Sequence, residues 1–147
     1  MKRIQILTIA TLLFGITQAN AKQLSIDTRC FISPDEKLKV EFKTYQDSDI
    51  GWVGGQLRYH TSQQYIPLVF KGSEVVTEIP DRPWEFKHTW LEIVDGQING
   101  SYQYHSQGAV VFNFSYRPSG SNQVFNLSKN SHSVDQNGNC TWEAMSE

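Results

Sequence analysis

The chain has 147 residues, one domain's length, with no room for two independent hydrophobic cores. At 39% hydrophobic and 19% charged residues it carries too much apolar material and too little charge to stay disordered. Removing the basic leader residues Lys2 and Arg3 takes the formal net charge from -2 to -4, which argues against a general electrostatic grip on nucleic acid.

Lys2 and Arg3, the apolar run Ile4 to Ile16, and Ala19-Asn20-Ala21 read as the start, centre and cleavage site of a secretory signal peptide. Gln5, Thr8, Thr11 and Thr17 interrupt the run, and a transmembrane helix needs about 20 consecutive apolar residues. The expected organisation is therefore a signal peptide over 1–21 and a single β domain over 22–147. The short basic start suits a bacterial chain, so the expected location is the periplasm, with full secretion as the alternative.

From Lys22 onward the residues alternate with period two between turn clusters, the pattern of an antiparallel barrel or sandwich. Leu24, Ile26, Thr28, Cys30 and Ile32 alternate first, and Ser33-Pro34-Asp35-Glu36 makes a turn. Leu38, Val40, Phe42 and Thr44 then share one face, leaving Lys37, Lys39, Glu41 and Lys43 on a wet one. A polar connection from Gln46 to Gly51 leads through Trp52-Val53-Gly54-Gly55 to a strand over Gln56 to His60. Tyr65 to Lys71 is apolar on both faces, with Pro67 marking an edge or bulge, and Glu74 to Ile79 follows as a separate segment.

The clearest local element is a hairpin of Trp84 to Val94 and Gln97 to His105 around Asp95-Gly96, since a type I′ turn needs positive φ at both central positions. Val110, Phe112, Phe114 and Tyr116 alternate in the next strand, and Gln123 to Ser128 forms another short one. The expected fold is all-β, a small antiparallel barrel or sandwich of about eight to ten short strands. Cys30 and Cys140, the only cysteines, are expected to join the two ends as a disulfide in an oxidising compartment; the rival reading is a free nucleophilic thiol.

Catalytic signatures are sparse. His60, His88, His105 and His132 stand too far apart for a metal-ligand motif, and there is no nucleophile elbow, phosphate loop or dinucleotide fingerprint. Odd spacing puts Glu85 and Glu92 on opposite faces of one strand, a poor acid–base dyad. Neither a metal nor a cofactor is expected.

Two features could carry binding. Trp84, Phe86, His88 and Trp90 share a face, and Trp84, His88 and Trp90 would line a cavity for a small hydrophobic or sugar-like ligand; the plainer reading is a packed core. Asp47, Asp49, Ile50 and Trp52 form an acidic-aromatic loop with the glycines 51, 54 and 55, suited to anchoring in a basic protein cleft; the plainer reading is a solvated turn.

Asp95-Gly96-Gln97-Ile98-Asn99-Gly100-Ser101-Tyr102 resembles the Asp-Gly-x-aliphatic-x-Gly-x-Tyr hairpin of avidin-like barrels, although nothing else in the chain matches their biotin site. In size, export, terminal disulfide and β content the chain is similar to periplasmic lysozyme inhibitors and to immunity proteins that neutralise wall-attacking effectors. The leading expectation is thus an exported, non-catalytic domain that binds and blocks a protein partner such as a basic envelope-acting enzyme or toxin. The alternative is a barrel carrier for a small ligand, and an envelope hydrolase comes third.

Overall fold

The computed structural model describes residues 23–129 and 134–142. The signal peptide expected over 1–21, and the start at Lys22, lie outside the described residues. Eight strands follow one another: β1 (Ser25–Ile32), β2 (Lys39–Asp47), β3 (Trp52–Tyr59), β4 (Ile66–Thr77), β5 (Glu85–Val94), β6 (Gln97–Gln107), β7 (Val110–Pro118) and β8 (Phe125–Lys129). Each pairs antiparallel with its sequence neighbour, and β8 returns to β1 through Phe31↔Lys129 and Ile32↔Ser128. The fold is therefore a closed up-and-down barrel and not a two-sheet sandwich. Closure gives every strand a neighbour on both sides, although β3 and β4 share only three pairs and β8 and β1 two.

The turn chemistry explains much of this order. Asp95 (φ 50) and Gly96 (φ 74) supply the two positive φ values of the β5–β6 hairpin. Inward side chains fill the middle of the barrel. Phe31 stacks on Phe114 with centroids 3.9 Å apart, and Phe42 meets Trp90, Tyr104 and Phe114 edge-on. Leu57 and Leu68 complete this core.

Three strand readings need correction. Tyr65 to Ile79 does not break into two segments: β4 runs from Ile66 to Thr77, bent by a register shift between Phe70 and Gly72, where Gly72 takes φ 147. Pro67 sits at the start of β4, opposite Gln56 in a ladder of three pairs, and not on a sheet edge. In β7 the expected face of Val110, Phe112, Phe114 and Tyr116 is split. Asn113 adopts φ 54 at a register shift against β6, so Val111 and Phe114 point inward while Phe112 turns out against His105.

The third correction concerns the outer face of β2. Glu41 and Lys43 are not wet: they are 1% and 8% exposed. The disulfide Cys30–Cys140 pins the segment 134–142 across β1 and β2 as a strap. Thr28 donates to the Gly138 carbonyl, and Lys43 donates to Asn139 Oδ1 at 2.8 Å. Beneath the strap, Glu41 accepts from the Cys140 N–H (2.6 Å), the Tyr65 hydroxyl (2.6 Å) and Arg58 (3.1 Å). Burial pushes the Glu41 carboxyl up, but these hydrogen bonds and the charges of Lys43 and Arg58 outweigh it and hold it below the usual range. Burial, then the hydrogen bond to Glu41 and its negative charge, raises the Tyr65 phenol to about 12 against the opposing charge of Arg58.

Candidate functional site

The two ends of the barrel differ because different inward residues meet there. At one end Glu92, 2% exposed, accepts from Asn99 (2.6 Å), Tyr116 (2.7 Å) and Tyr102 (3.1 Å), and Tyr59 and Tyr102 share a hydrogen bond of 2.9 Å. Burial, then the neighbouring phenol and carboxylate, drives the Tyr102 ionisation far above its ordinary value. Gly100 makes this cluster possible, since a Cβ there would lie 2.5 Å from the Tyr116 hydroxyl. The hairpin around Asp95-Gly96 thus contributes Asn99, Gly100 and Tyr102 to a plug at one end. The predicted opposition of Glu85 and Glu92 holds: Glu92 faces in, while the Glu85 carboxylate accepts from His105 Nδ1–H at 2.6 Å, in the pair whose imidazole packs on outward Phe112.

The other end is open among the described residues. There β1 and β5 begin, β4 and β6 finish, and β2 passes to β3. A cavity of about 320 Å³ lies inside this mouth, at the small end of the range for ligand pockets, about 300–1,000 Å³. Its walls are chemically unequal. From β4, β5 and β6, Phe70, His88 and Tyr104 present neighbouring rings, with Phe70–His88 centroids at 6.4 Å and His88–Tyr104 at 4.7 Å. From β1 and β2 across the barrel come Asp27, Arg29, Thr44 and Gln46.

Charge is balanced inside the mouth. Arg29 Nε donates to Asp27 Oδ2 at 2.5 Å, so the only carboxylate and guanidinium lining the cavity neutralise each other. His88 is held between Ser73 Oγ on Nδ1 and Ser106 Oγ on Nε2, both at 2.7 Å. Burial, then the positive charge of Arg29 and the nearby His105, pushes the His88 imidazole below its usual value, which keeps it neutral at pH 7. Burial likewise raises the Tyr104 phenol. The Ser106–His88 spacing is that of a nucleophile and its base, but Nδ1 meets a hydroxyl and not the carboxylate that would stabilise an imidazolium.

Trp90 forms the inner floor at 1% exposure. Its benzo edge abuts Gly55, where a Cβ would come within 2.7 Å, so Nε1 is turned away from β3. That N–H, alone among the buried side-chain polar atoms of the described residues, makes no hydrogen bond; its proximity opposes the burial that raises the Tyr104 phenol.

Comparison of the chain with known protein families, with curated proteins and with solved structures finds no match.

Of the residues singled out from sequence, His88 and Trp90 line the cavity, whereas Trp84 precedes β5 and stands 45% exposed outside it. Asp49 and Ile50 lie in the β2–β3 turn at the same open end, and Asp47 and Trp52 are the paired strand ends that flank it. The Asp49 N–H donates to Asp47 Oδ1 at 3.0 Å, and Gly51 takes φ 66. Trp52 lies over Gly54 on the outer wall and remains 47% exposed, with Ile50 at 75%. The two candidate features thus meet at one mouth, which only closure of the barrel reveals.

The polar wall escaped the sequence reading. Apolar Ile26, Cys30 and Ile32 drew attention to the wrong face of β1; Asp27, Arg29 and Phe31 are the inward set. The one available signal was the alternation of Asp27 and Arg29 with the core residue Phe31, two positions apart each. Among the described residues no group of three or more potential ligands could hold a metal ion, and no helix is long and apolar enough to cross a membrane.

Proposed function

We propose that this chain is a non-catalytic binding protein that takes a small ligand into the open end of its barrel. One observation carries the reading: the closed end is plugged by the Glu92 cluster, while the open end keeps a cavity of about 320 Å³ with an aromatic wall facing a polar one. Small barrels are either filled by their own side chains or enclose a ligand site, and this one does each at a different end. The disulfide is compatible with an oxidising, exported compartment, so the proposed place of action is outside the cytoplasm.

The test is a screen of chemically diverse small molecules by thermal shift, followed by amide chemical-shift mapping. A ligand at about 100 times its Kd should stabilise the fold by roughly 2.7 kcal/mol. Shifts should cluster on Arg29, Gln46, His88 and Tyr104. Binders that perturb only the outer wall, or a screen without binders, would overturn the reading.

A second reading has its own support in the exposure of Ile50 and Trp52, beside Asp47 and Asp49 at the rim. There the same end would enter the cleft of a basic partner protein, such as a wall-cleaving lysozyme or a toxin, and block it. Inhibition of a lysozyme in a turbidity assay, lost in the double variant Asp49→Ala/Trp52→Ala, would favour it. Undiminished lysis in the presence of the wild-type chain would remove lysozymes as its target.

A further inference from the structure

Resting on the ligand-binding reading, we propose that the open end recognises the ring of a neutral, polyhydroxylated ligand: a monosaccharide, or the terminal sugar of a longer glycan. The two walls of the cavity differ in chemistry. Phe70, His88 and Tyr104 offer ring faces along one side, and Thr44, Gln46, Asp27 and Arg29 offer hydroxyl, amide, carboxylate and guanidinium groups along the other. A pyranose has matching surfaces. Its axial C–H groups make an apolar face, and its equatorial hydroxyls, each both donor and acceptor, make a polar edge.

Charge excludes the obvious competitors. Among the described residues that line the cavity, the one carboxylate and the one guanidinium, Asp27 and Arg29, pair with each other. An anionic ligand would have to displace Asp27 from Arg29 or lie beside its negative charge, whereas a neutral ligand leaves the pair in place. An acyl chain would cover the polar wall and strand its donors and acceptors away from water, at roughly 1–3 kcal/mol for each unmet group. A hydroxyl-rich edge replaces the lost water partners instead.

Depth and size agree with one ring. At about 320 Å³ the cavity is at the lower limit for small-molecule sites and does not accommodate an oligosaccharide inside the barrel. On its floor, Trp90 Nε1 is a buried donor without an acceptor, next to Tyr104. A ring oxygen or hydroxyl at that depth would satisfy it after a small rotation of Tyr104.

The experiment is an amide chemical-shift titration of the disulfide-bonded protein with D-glucose, D-galactose, N-acetyl-D-glucosamine and chitotriose, alongside octanoate and indole-3-acetate. At least one neutral sugar, at about 20 mM, should shift Arg29, Gln46 and Tyr104, as weak affinities in the millimolar range require. Gln46→Ala and Tyr104→Phe should each weaken that sugar by about five- to tenfold, the worth of one lost hydrogen bond. Their unshifted Glu92-end resonances check that both variants are folded. Chitotriose binding about tenfold tighter than N-acetyl-D-glucosamine points to a glycan terminus, and equal binding to a free monosaccharide.

Octanoate or indole-3-acetate shifting the cavity residues while every sugar fails would overturn the sugar assignment and leave the ligand-binding reading standing. Failure of all six probes would overturn the sugar assignment, and the wider screen would then decide the parent reading separately. Sugar binding unaffected by both variants would place the sugar elsewhere and sink the proposal.

Discussion

Replacing Cys30 and Cys140 by serine tests how the barrel keeps its outer face closed. The bond spans 110 positions of chain. In the chain-entropy description, closing a loop of that size restricts the unfolded state by about 4.7 kcal/mol. The folded state adds a local consequence, because Cys140 itself donates its N–H to Glu41 and its neighbour Asn139 accepts from Lys43. Once the strap lifts, water reaches both charges and replaces those bonds, so little further loss is expected beyond the entropic part. With a urea m-value of about 1.5–2 kcal/mol per molar, the unfolding midpoint should fall by about 2–3 M. The measurement is urea unfolding of wild type and Cys30→Ser/Cys140→Ser, followed by tryptophan fluorescence and circular dichroism. Hydrogen exchange of the Cys30 and Thr28 amides and of residue 140 reports whether the strap lifts. A midpoint change below about 0.5 M would refute the reasoning, since the bond would then restrict the unfolded chain far less than its span of 110 positions implies.

Glu41→Leu should destabilise the fold by about 3 kcal/mol, because Lys43 and the Cys140 N–H lose their shared acceptor under the strap; chemical denaturation at pH 7 checks this. Since the Glu41 carboxyl lies below its unfolded value of 4.5, its stabilisation is complete above that pH and is lost as the pH falls through the lowered folded value; Glu41→Gln should flatten this acid limb. His88 works in the same direction from a higher pH: its depressed folded value means that stability declines as pH drops below 6.5, and His88→Phe should remove that decline in thermal melts. Asn113→Gly should be neutral or slightly stabilising at φ 54, while Asn113→Val should cost roughly 1–2 kcal/mol by urea titration, because a β-branched residue resists that backbone conformation. Gly55→Ala should cost about 1–3 kcal/mol through its clash with Trp90 and shift the tryptophan emission; an unchanged spectrum and midpoint would contradict the packing described for the cavity floor.

The amino-acid sequence by itself determined the all-β class, the Asp95-Gly96 hairpin and the pairing of Cys30 with Cys140, because each depends on local alternation, turn conformations or a two-cysteine inventory. It also brought out His88 and Trp90, whose even spacing survives along the regular part of β5. Only the tertiary structure decided which face of β1 points inward, since Ile26 and Cys30 look like core residues until the strap is seen to cover the opposite side. The same holds for Glu41 and Lys43, whose burial depends on residues nearly a hundred positions away. Register shifts at Gly72 and Asn113 change the inward set by one residue, and period-two reasoning cannot detect an inserted residue whose backbone conformation is set by the neighbouring strand. The cavity belongs to this second group. It exists because closing eight strands sets the polar residues of β1 and β2 across from the rings of β4, β5 and β6, an opposition with no trace in any local stretch of sequence.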